Sequence, residues 1–232
     1  MFGIRYIGNT HIPHLKKTAS IASIDLPTPQ SVLRAMKIYD ISQEVFNCQV
    51  YPGDDSPQKN EMRRISKGDL YNLTNFSMCA HNGTHIDAPF HFIDNGDTVE
   101  KISLYKTVGF CYVSTFNGTL FSDHADLIIK KAEKVSSESA KRILLKGNAI
   151  VTPEAARVFV SYGIDLIGVE AQSIGETNHP MEVHKLLLQN NIVLLEGIQL
   201  SNINDGVYFL NAAPISLKGS DGAPCRAILI EF

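Results

Sequence analysis

The sequence predicts a single α/β domain built on a mixed, partly antiparallel sheet with flanking helices. The second half of the chain alternates strand-like and helix-like segments, which is typical of β-α-β units. The first half carries strand-like runs separated by Gly, Asp and Pro, which favours antiparallel pairing. The 232 residues, 44% hydrophobic and 19% charged, are enough for one large core and too few for several domains of ordinary size.

The first 36 residues differ from the rest of the chain because Ser, Thr and Pro recur in them. We therefore predict an N-terminal arm or extension over 1–36 and a single domain over 37–232. The domain is expected to begin with a strand at 38–41, and Pro, Gly and Asp at 52–54 predict a turn after it.

Strands and helices are expected to alternate after residue 120. Helical periodicity predicts a helix over 136–145, followed by an apolar strand. Thr152 as N-cap and Pro153 at the first helical position predict a second helix, which Gly163 ends. The remaining predicted elements are a strand at 166–169, a helix beginning after Pro180 and a short buried strand at 192–195.

Charge and cysteine usage narrow the class of protein. A net charge of −3 makes a nucleic-acid partner unexpected, because such domains usually carry a basic excess on one face. No stretch approaches the ~18 consecutive apolar residues of a membrane span, and no secretory signal is recognisable, so no membrane partner is expected. The four cysteines are widely spaced and include no C-x-x-C pair, which favours a reducing, cytoplasmic setting.

The most informative segment is 79–92, which holds three of the eight histidines. A helix there is disfavoured by an internal glycine and proline. In a strand, alternate side chains share a face, so His81, His85 and Asp87 would lie on one side with Gly83 leaving space between them. Imidazole and carboxylate groups together suit Zn²⁺ or Mn²⁺, and the absence of thiolate favours a catalytic metal site.

Three more side chains are candidates for the same site. Pro89 is expected to end the strand and turn His91 around. His184 lies on the helix after residue 180, and Glu196 lies at the carboxyl end of the next strand, where ligands bind in open α/β sheets. From the residues alone, a surface position for His184 and a capping or solvated role for Glu196 stay open.

The run HNGTHIDAPFHF at 81–92 resembles the signature of the metal-dependent cyclase family, whose best-known members are bacterial kynurenine formamidases and isatin hydrolases. The resemblance covers 37–232. It extends to KIYDIS at 37–42, YPGD at 51–54, HKLL at 184–187, EG at 196–197 and DGAPCRA at 221–227. It implies a swivelling β/β/α type of fold and a homo-oligomer, either a dimer or a tetramer.

Carried over residue by residue, the resemblance implies a centre of two divalent ions, with zinc expected and manganese as the alternative. His81, His85 and Asp87 would hold the first ion. Asp87 would bridge to the second ion, which His184 and Glu196 would also hold.

The implied activity is hydrolysis of a small amide by metal-activated water, with His91 as the general acid/base. The expected substrate is an arylformamide, with N-formylkynurenine giving kynurenine and formate in tryptophan catabolism. The loop at 168–175 differs from the Asp- and Pro-containing loop of kynurenine formamidases, so a lactam, cyclic imide or lactone, as in isatin hydrolases, is the alternative substrate. A non-catalytic protein that binds a metal or a small acid is the alternative from another class.

Overall fold

A mixed sheet organises the part of the chain that this computed structural model describes, residues 36–175 and 180–232. The strands are β1 (Lys37–Asp40), β2 (Gln58–Arg63), β3 (Leu73–Ser77), β4 (His85–Asp87), β5 (Val108–Thr115), β6 (Gly118–Leu120), β7 (Arg142–Lys146), β8 (Ala149–Val151), β9 (Leu166–Val169), β10 (Val193–Glu196), β11 (Gly206–Asn211), β12 (Gly222–Pro224) and β13 (Ile228–Glu231). In the described residues, nine of them form the main sheet in the order β1-β13-β11-β5-β7-β9-β10-β4-β12.

The pairing directions divide the main sheet into a parallel centre and antiparallel margins. Strands β5, β7, β9 and β10 run parallel to one another. Strands β11, β13 and β1 add antiparallel pairs on one side, and β4 and β12 add them on the other. The prediction of an α/β domain with a mixed, partly antiparallel sheet and flanking helices is confirmed.

The helices are α1 (Leu104–Thr107), α2 (Ser122–Val135), α3 (Pro153–Ser161) and α4 (Pro180–Gln189). The apolar sides of α2, α3 and α4 pack in one cluster with side chains of β7, β9 and β10, so these helices cover one face of the sheet. Helix α3 begins as predicted, because the Thr152 hydroxyl accepts a hydrogen bond from the amide of Ala155 at 3.3 Å.

The helix predicted over 136–145 is wrong. Helix α2 ends at Val135, a 3-10 turn spans Ser139–Lys141, and β7 occupies Arg142–Lys146. Strand β7 is central, so Leu145 packs in the cluster under the helices while Leu144 packs in the apolar cluster on the opposite face. A strand buried on both faces carries a continuous apolar run, which periodicity does not distinguish from a helix.

The hairpin of β2 and β3 lies apart from the main sheet. Every residue of both strands is exposed, including the apolar side chains of Met62, Leu73 and Phe76. The two strands pair antiparallel with each other, with a register irregularity between Glu61 and Arg63.

Residues 36–232 form one compact unit by themselves. The arm predicted over 1–36 lies, apart from Met36, outside the described residues, so its boundary stays a prediction. Among the described residues, no helix has the length and apolar character that a membrane crossing would need.

Candidate metal centre

Strand β4 carries the middle of the candidate site because it lies between two strands from the C-terminal half of the chain. Its antiparallel pairing with β10 sets His85 opposite Glu196. Its pairing with β12 on the other side sets Asp87 opposite Gly222. All three residues of β4 are buried, so the polar side chains on this strand are shielded from bulk water.

The expectation of a continuous strand from His81 to Asp87 is wrong, because residues 81–84 form a turn before β4 begins. The amide of Asn82 donates to the carbonyl oxygen of Cys79 at 3.2 Å. Gly83 follows with φ +65°, a left-handed conformation that glycine adopts without strain. The turn brings His81 back beside Asp87, so the predicted convergence occurs by a different backbone path.

His81, His85 and Asp87 lie within contact distance of one another. Oδ1 of Asp87 is 2.8 Å from Nδ1 of His81 and 3.3 Å from Nε2 of His85. Nδ1 of His85 is 3.0 Å from the carbonyl oxygen of Gly83, to which it donates. This bond leaves Nε2 of His85 as the free nitrogen that faces the carboxylates, as is usual for a metal-binding histidine.

His184 and Glu196 join the same cluster, and both are buried, with 2% exposure each. Nε2 of His184, on α4, is 3.2 Å from Oε1 of Glu196 and 3.7 Å from Oδ2 of Asp87. Oε2 of Glu196 is 3.4 Å from Nε2 of His85. Glu196 therefore lies between two imidazole groups and presents one oxygen to each. Asp87 presents Oδ1 to His81 and His85 and Oδ2 to His184.

The spacing of these atoms suits divalent cations. Metal–ligand bonds of ~2.0–2.1 Å in a tetrahedral site place neighbouring ligand atoms ~3.4 Å apart. The four contacts that His85 and His184 make with Asp87 and Glu196 span 3.2 to 3.7 Å. Oδ2 of Asp87 is buried and accepts no hydrogen bond from the described residues, a costly arrangement that a nearby cation would relieve. The residues fit a divalent metal, while the assignment of individual ligands stays a prediction.

The charges of the cluster also favour a cation. Burial lowers the pKa of His81, but its hydrogen bonds to Asp221 and Asp87 outweigh burial and raise the pKa to about 9. Burial also lowers the pKa of His85, but its hydrogen bonds to Asp87 and Glu196 outweigh burial and raise the pKa to about 10. Burial pushes the pKa of Asp87 upwards, yet the two histidines hold it well below its usual range. The carboxylates thus remain charged, and without a metal the imidazoles carry the balancing protons.

The loop after β9 fixes the turn at 81–84, a role that was not predicted from the sequence. The amide nitrogen of Gln172 donates to the carbonyl oxygens of His81, at 2.7 Å, and Gly83, at 2.9 Å. The backbone amide of Ile174 donates to Oε1 of Glu196 at 2.7 Å. The available sequence signal was the position of this loop at the carboxyl end of a parallel strand.

Gly197 allows β10 to approach this turn closely. Its φ is +68°, and a Cβ atom there would lie 2.3 Å from the carbonyl oxygen of Gly83. We expect Gly197→Ala to lower the free energy of unfolding by about 3 kcal/mol or more, because backbone strain adds to a clash with backbone. Thermal unfolding of chelator-treated protein measures this loss.

The matched control for Gly197→Ala is Gly68→Ala. Gly68 has φ +93°, but nothing lies within 4 Å of the position of its Cβ. Its replacement should therefore cost only the left-handed strain of about 1–2 kcal/mol. Equal losses of stability in the two variants would contradict the close approach of β10 to the turn.

His91 lies beside the cluster. Pro89 ends the extended segment, and the 3-10 turn Pro89–His91 turns the chain as predicted. The His91 ring stacks on the ring of His81 with centroids 4.0 Å apart, and its Nδ1 is 3.3 Å from Oδ2 of Asp221. Asp221, the first residue of the DGAPCRA segment at 221–227, was not among the predicted site residues.

A cavity of about 1080 Å³ is lined by His91 and by four members of the cluster, His81, His85, His184 and Glu196. The other side chains on its wall include Tyr51, Cys79, Phe92, Gln172, Met181 and Lys185. A cavity with a mostly apolar wall and a few converging polar groups is typical of a small-molecule site. Four buried imidazole and carboxylate side chains, a cavity above them and a further histidine on its wall are typical of a metal-dependent hydrolase.

Comparisons with known proteins agree with this class. A family profile described as "Putative cyclase" matches residues 24–176, and the chain belongs to this cyclase family. It is 30% identical over 211 residues to the kynurenine formamidase of Bacillus cytotoxicus, covering 85% of this chain and 99% of that protein. It is 30% identical over 210 residues to the kynurenine formamidase of Salinibacter ruber, covering 84% and 97%.

Solved structures show the same fold. A predicted metal-dependent hydrolase from Bacillus stearothermophilus superposes with a TM-score of 0.70 at 26% identity. The superposition covers 85% of this chain and 100% of that chain. Isatin hydrolase A from Ralstonia solanacearum gives a TM-score of 0.73 at 19% identity, covering 91% and 100%. The second comparison supports the fold alone.

Proposed function

We propose that this enzyme hydrolyses the C–N bond of an arylformamide, with N-formylkynurenine as substrate and kynurenine and formate as products. Water adds to the formyl carbon, the C–N bond breaks, and the amine nitrogen takes up a proton. The observation that carries the proposal is the buried cluster around Asp87, whose Oδ2 accepts no hydrogen bond from the described residues, at the base of a cavity. The relatives named kynurenine formamidases support the choice of substrate.

We assign two divalent ions to this cluster, zinc first and manganese as the alternative. Oδ1 of Asp87 faces His81 and His85, while Oδ2 faces His184, so one carboxylate can serve two ions. Glu196 and His184 would complete the second site, because Oε1 of Glu196 lies 3.2 Å from Nε2 of His184. The mixture of imidazole and carboxylate ligands suits zinc, and the groups of ligand atoms lie within 4.8 Å of one another.

When bound, divalent ions lower the pKa of a water molecule towards neutrality and polarise a carbonyl oxygen. His91 lines the same cavity, and its ring would take the proton from the attacking water. The same ring then delivers that proton to the leaving nitrogen, as a general acid/base does. The apolar wall that includes Phe92 and Met181 holds the aromatic ring of the substrate and excludes bulk water from the reaction.

A substrate panel with metal measured in parallel tests this function. We expect fast hydrolysis of N-formylkynurenine that is lost on chelation and restored by Zn²⁺ or Mn²⁺. Preferential turnover of isatin or of a lactone would replace the formamide by a substrate of the isatin-hydrolase type. A filled metal site with no hydrolysis of any amide, imide or ester would favour the non-catalytic binding protein and overturn the proposed activity.

We also propose that the enzyme is a homo-oligomer, a dimer or tetramer. The exposed hairpin of β2 and β3 supports this proposal, because an isolated two-stranded hairpin is marginally stable in water and exposed apolar patches mark protein interfaces. Analytical ultracentrifugation at micromolar concentration should give the mass of a dimer or tetramer. The double variant Met62→Glu/Phe76→Glu should sediment as a monomer. A monomeric wild-type protein would contradict the proposal.

A cytoplasmic location is part of the same proposal. Cys48, Cys79, Cys111 and Cys225 are all unpaired thiols, which a reducing compartment maintains.

A further inference from the structure

Asp221 joins two histidines that the proposed mechanism uses for different purposes. Its Oδ2 is 2.9 Å from Nε2 of His81 and 3.3 Å from Nδ1 of His91. The backbone of Asp221 is fixed as well, because its carbonyl oxygen accepts a hydrogen bond from the amide of Ala88 at 2.9 Å. The backbone is thus held next to the pairing of β12 with β4, and the two histidines orient the carboxylate.

We propose that Asp221 is a positioning residue for His91, which it holds in the tautomer that carries the proton on Nδ1 and leaves Nε2 free as the base. A carboxylate accepts hydrogen bonds and donates none, so the nitrogen facing it must carry hydrogen. The other ring nitrogen then has the free lone pair that proton abstraction requires. The inference rests on the proposed hydrolase function.

The packing of His91 makes this orientation specific. Its ring is stacked on His81, with planes inclined by 29°, and meets the edge of Phe92 at a centroid distance of 4.4 Å. These two contacts fix the plane of the ring, and the contact with Asp221 fixes which of its edges carries Nδ1 towards that carboxylate. A ring flipped by 180° would place a carbon atom against the carboxylate and lose the hydrogen bond.

The same carboxylate also explains how His81 is oriented. Nδ1 of His81 faces Asp87, and Nε2 faces Asp221. A histidine that binds a metal through one nitrogen usually donates from the other to a carboxylate, and loss of such a partner typically costs about 10–100-fold in affinity or activity. An effect through His81 would thus appear in metal binding, whereas an effect through His91 would appear in turnover.

The alternative assignment for Asp221 is a metal ligand, since one atom each of His81, His91 and Asp221 lie within 4.8 Å of one another. We favour the positioning role because the two nitrogens of His81 already face Asp87 and Asp221, so a metal held by Nε2 would remove the donor that Asp221 binds. Metal stoichiometry separates the two assignments.

The test compares Asp221→Asn with a matched control, Glu100→Gln. Glu100 accepts a hydrogen bond from the amide of Gly219, on the same loop, at 3.1 Å, and the replacement also exchanges a carboxylate for an amide. At saturating Zn²⁺, we expect Asp221→Asn to lower kcat for N-formylkynurenine by about 100-fold with KM changed less than about 3-fold. The control should keep the wild-type kcat, and both variants should keep the wild-type metal content.

A double variant shows which histidine transmits the effect. Adding Asp221→Asn to His91→Ala should lower kcat no further, because the residue that Asp221 positions is already absent. A further loss as large as that in the wild-type background would route the effect through His81 and overturn the proposal. Loss of bound metal in Asp221→Asn, or an unchanged kcat, would overturn it as well.

A spectroscopic measurement keeps this test separate from the proposed function. Long-range proton–nitrogen NMR correlations of zinc-loaded protein with ¹⁵N-labelled histidine should show His91 protonated on Nδ1 in the wild type and on Nε2, or on a mixture, in Asp221→Asn. If the wild type hydrolyses none of the substrates in the panel, the proposed function fails while the tautomer still tests the role of Asp221. An Nε2-protonated His91 in the wild type would overturn that role.

Discussion

Replacement of Asp87 by asparagine should abolish hydrolysis by removing the charge that both proposed metal ions share. Asp87 is fully buried, and its two oxygens face different histidines, so its loss weakens both proposed sites together. We expect metal affinity to fall by more than about 100-fold, beyond the 10–100-fold typical of residues that only support a ligand. Elemental analysis after chelation, reloading and desalting measures the bound metal.

The matched control for Asp87→Asn is Asp97→Asn, which changes a carboxylate with a side chain that is 63% exposed and paired with Lys101. This control should keep its metal and its activity. Circular dichroism and thermal unfolding must show that both variants fold. A folded Asp87→Asn protein with wild-type metal content would remove Asp87 from the proposed ligands and with it the shared centre.

Replacement of His91 by alanine should abolish turnover while the bound metal is retained, unlike replacement of Asp87. Its ring stacks on His81 and its Nδ1 faces Asp221, whereas the proposed ligands contact Asp87 and Glu196, so its removal leaves those ligands in place. We expect kcat to fall by about 10²–10⁴-fold, the usual contribution of a general acid/base. Steady-state kinetics at saturating metal, with metal content measured on the same sample, give both quantities.

The control for His91→Ala is His124→Ala, which removes an imidazole on α2 that contacts Phe116 and Phe121 instead of the cavity. It should leave kcat unchanged. Turnover in His91→Ala close to that of the wild type would exclude His91 as the acid/base. A simultaneous loss of metal would instead make it a ligand.

The sequence predicted the parts of the fold that depend on local signals. Thr152 and Pro153 start α3 where the capping pattern placed its start, because caps are set by neighbouring residues. The helix predicted over 136–145 failed because Leu144 and Leu145 are buried on opposite faces of a central strand. Burial on both faces depends on distant strands, which local periodicity does not report.

The candidate site also combines residues that are close in sequence, which were predicted, with residues that only the sheet brings together, which were not. His81, His85 and Asp87 are close in sequence, but an extended strand would separate His81 from Asp87 by ~20 Å. The turn at Gly83 brings the two side chains to 2.8 Å instead. Gln172 and Asp221 were missed as site residues because they meet the turn and the histidines only through pairing of β9, β10, β4 and β12. Their contacts are properties of the sheet order.

The position of β4 between β10 and β12 has a consequence for the order in which a new molecule is made and loaded with metal. Chains emerge from the ribosome N-terminus first, and domains fold as units. The segment with three of the histidines is synthesised long before β10 and β12, the two strands that pair with β4. Until residue 224 has emerged, Asp87 lacks one of the two strands that pair with β4, so the proposed centre is complete only after translation has passed β12.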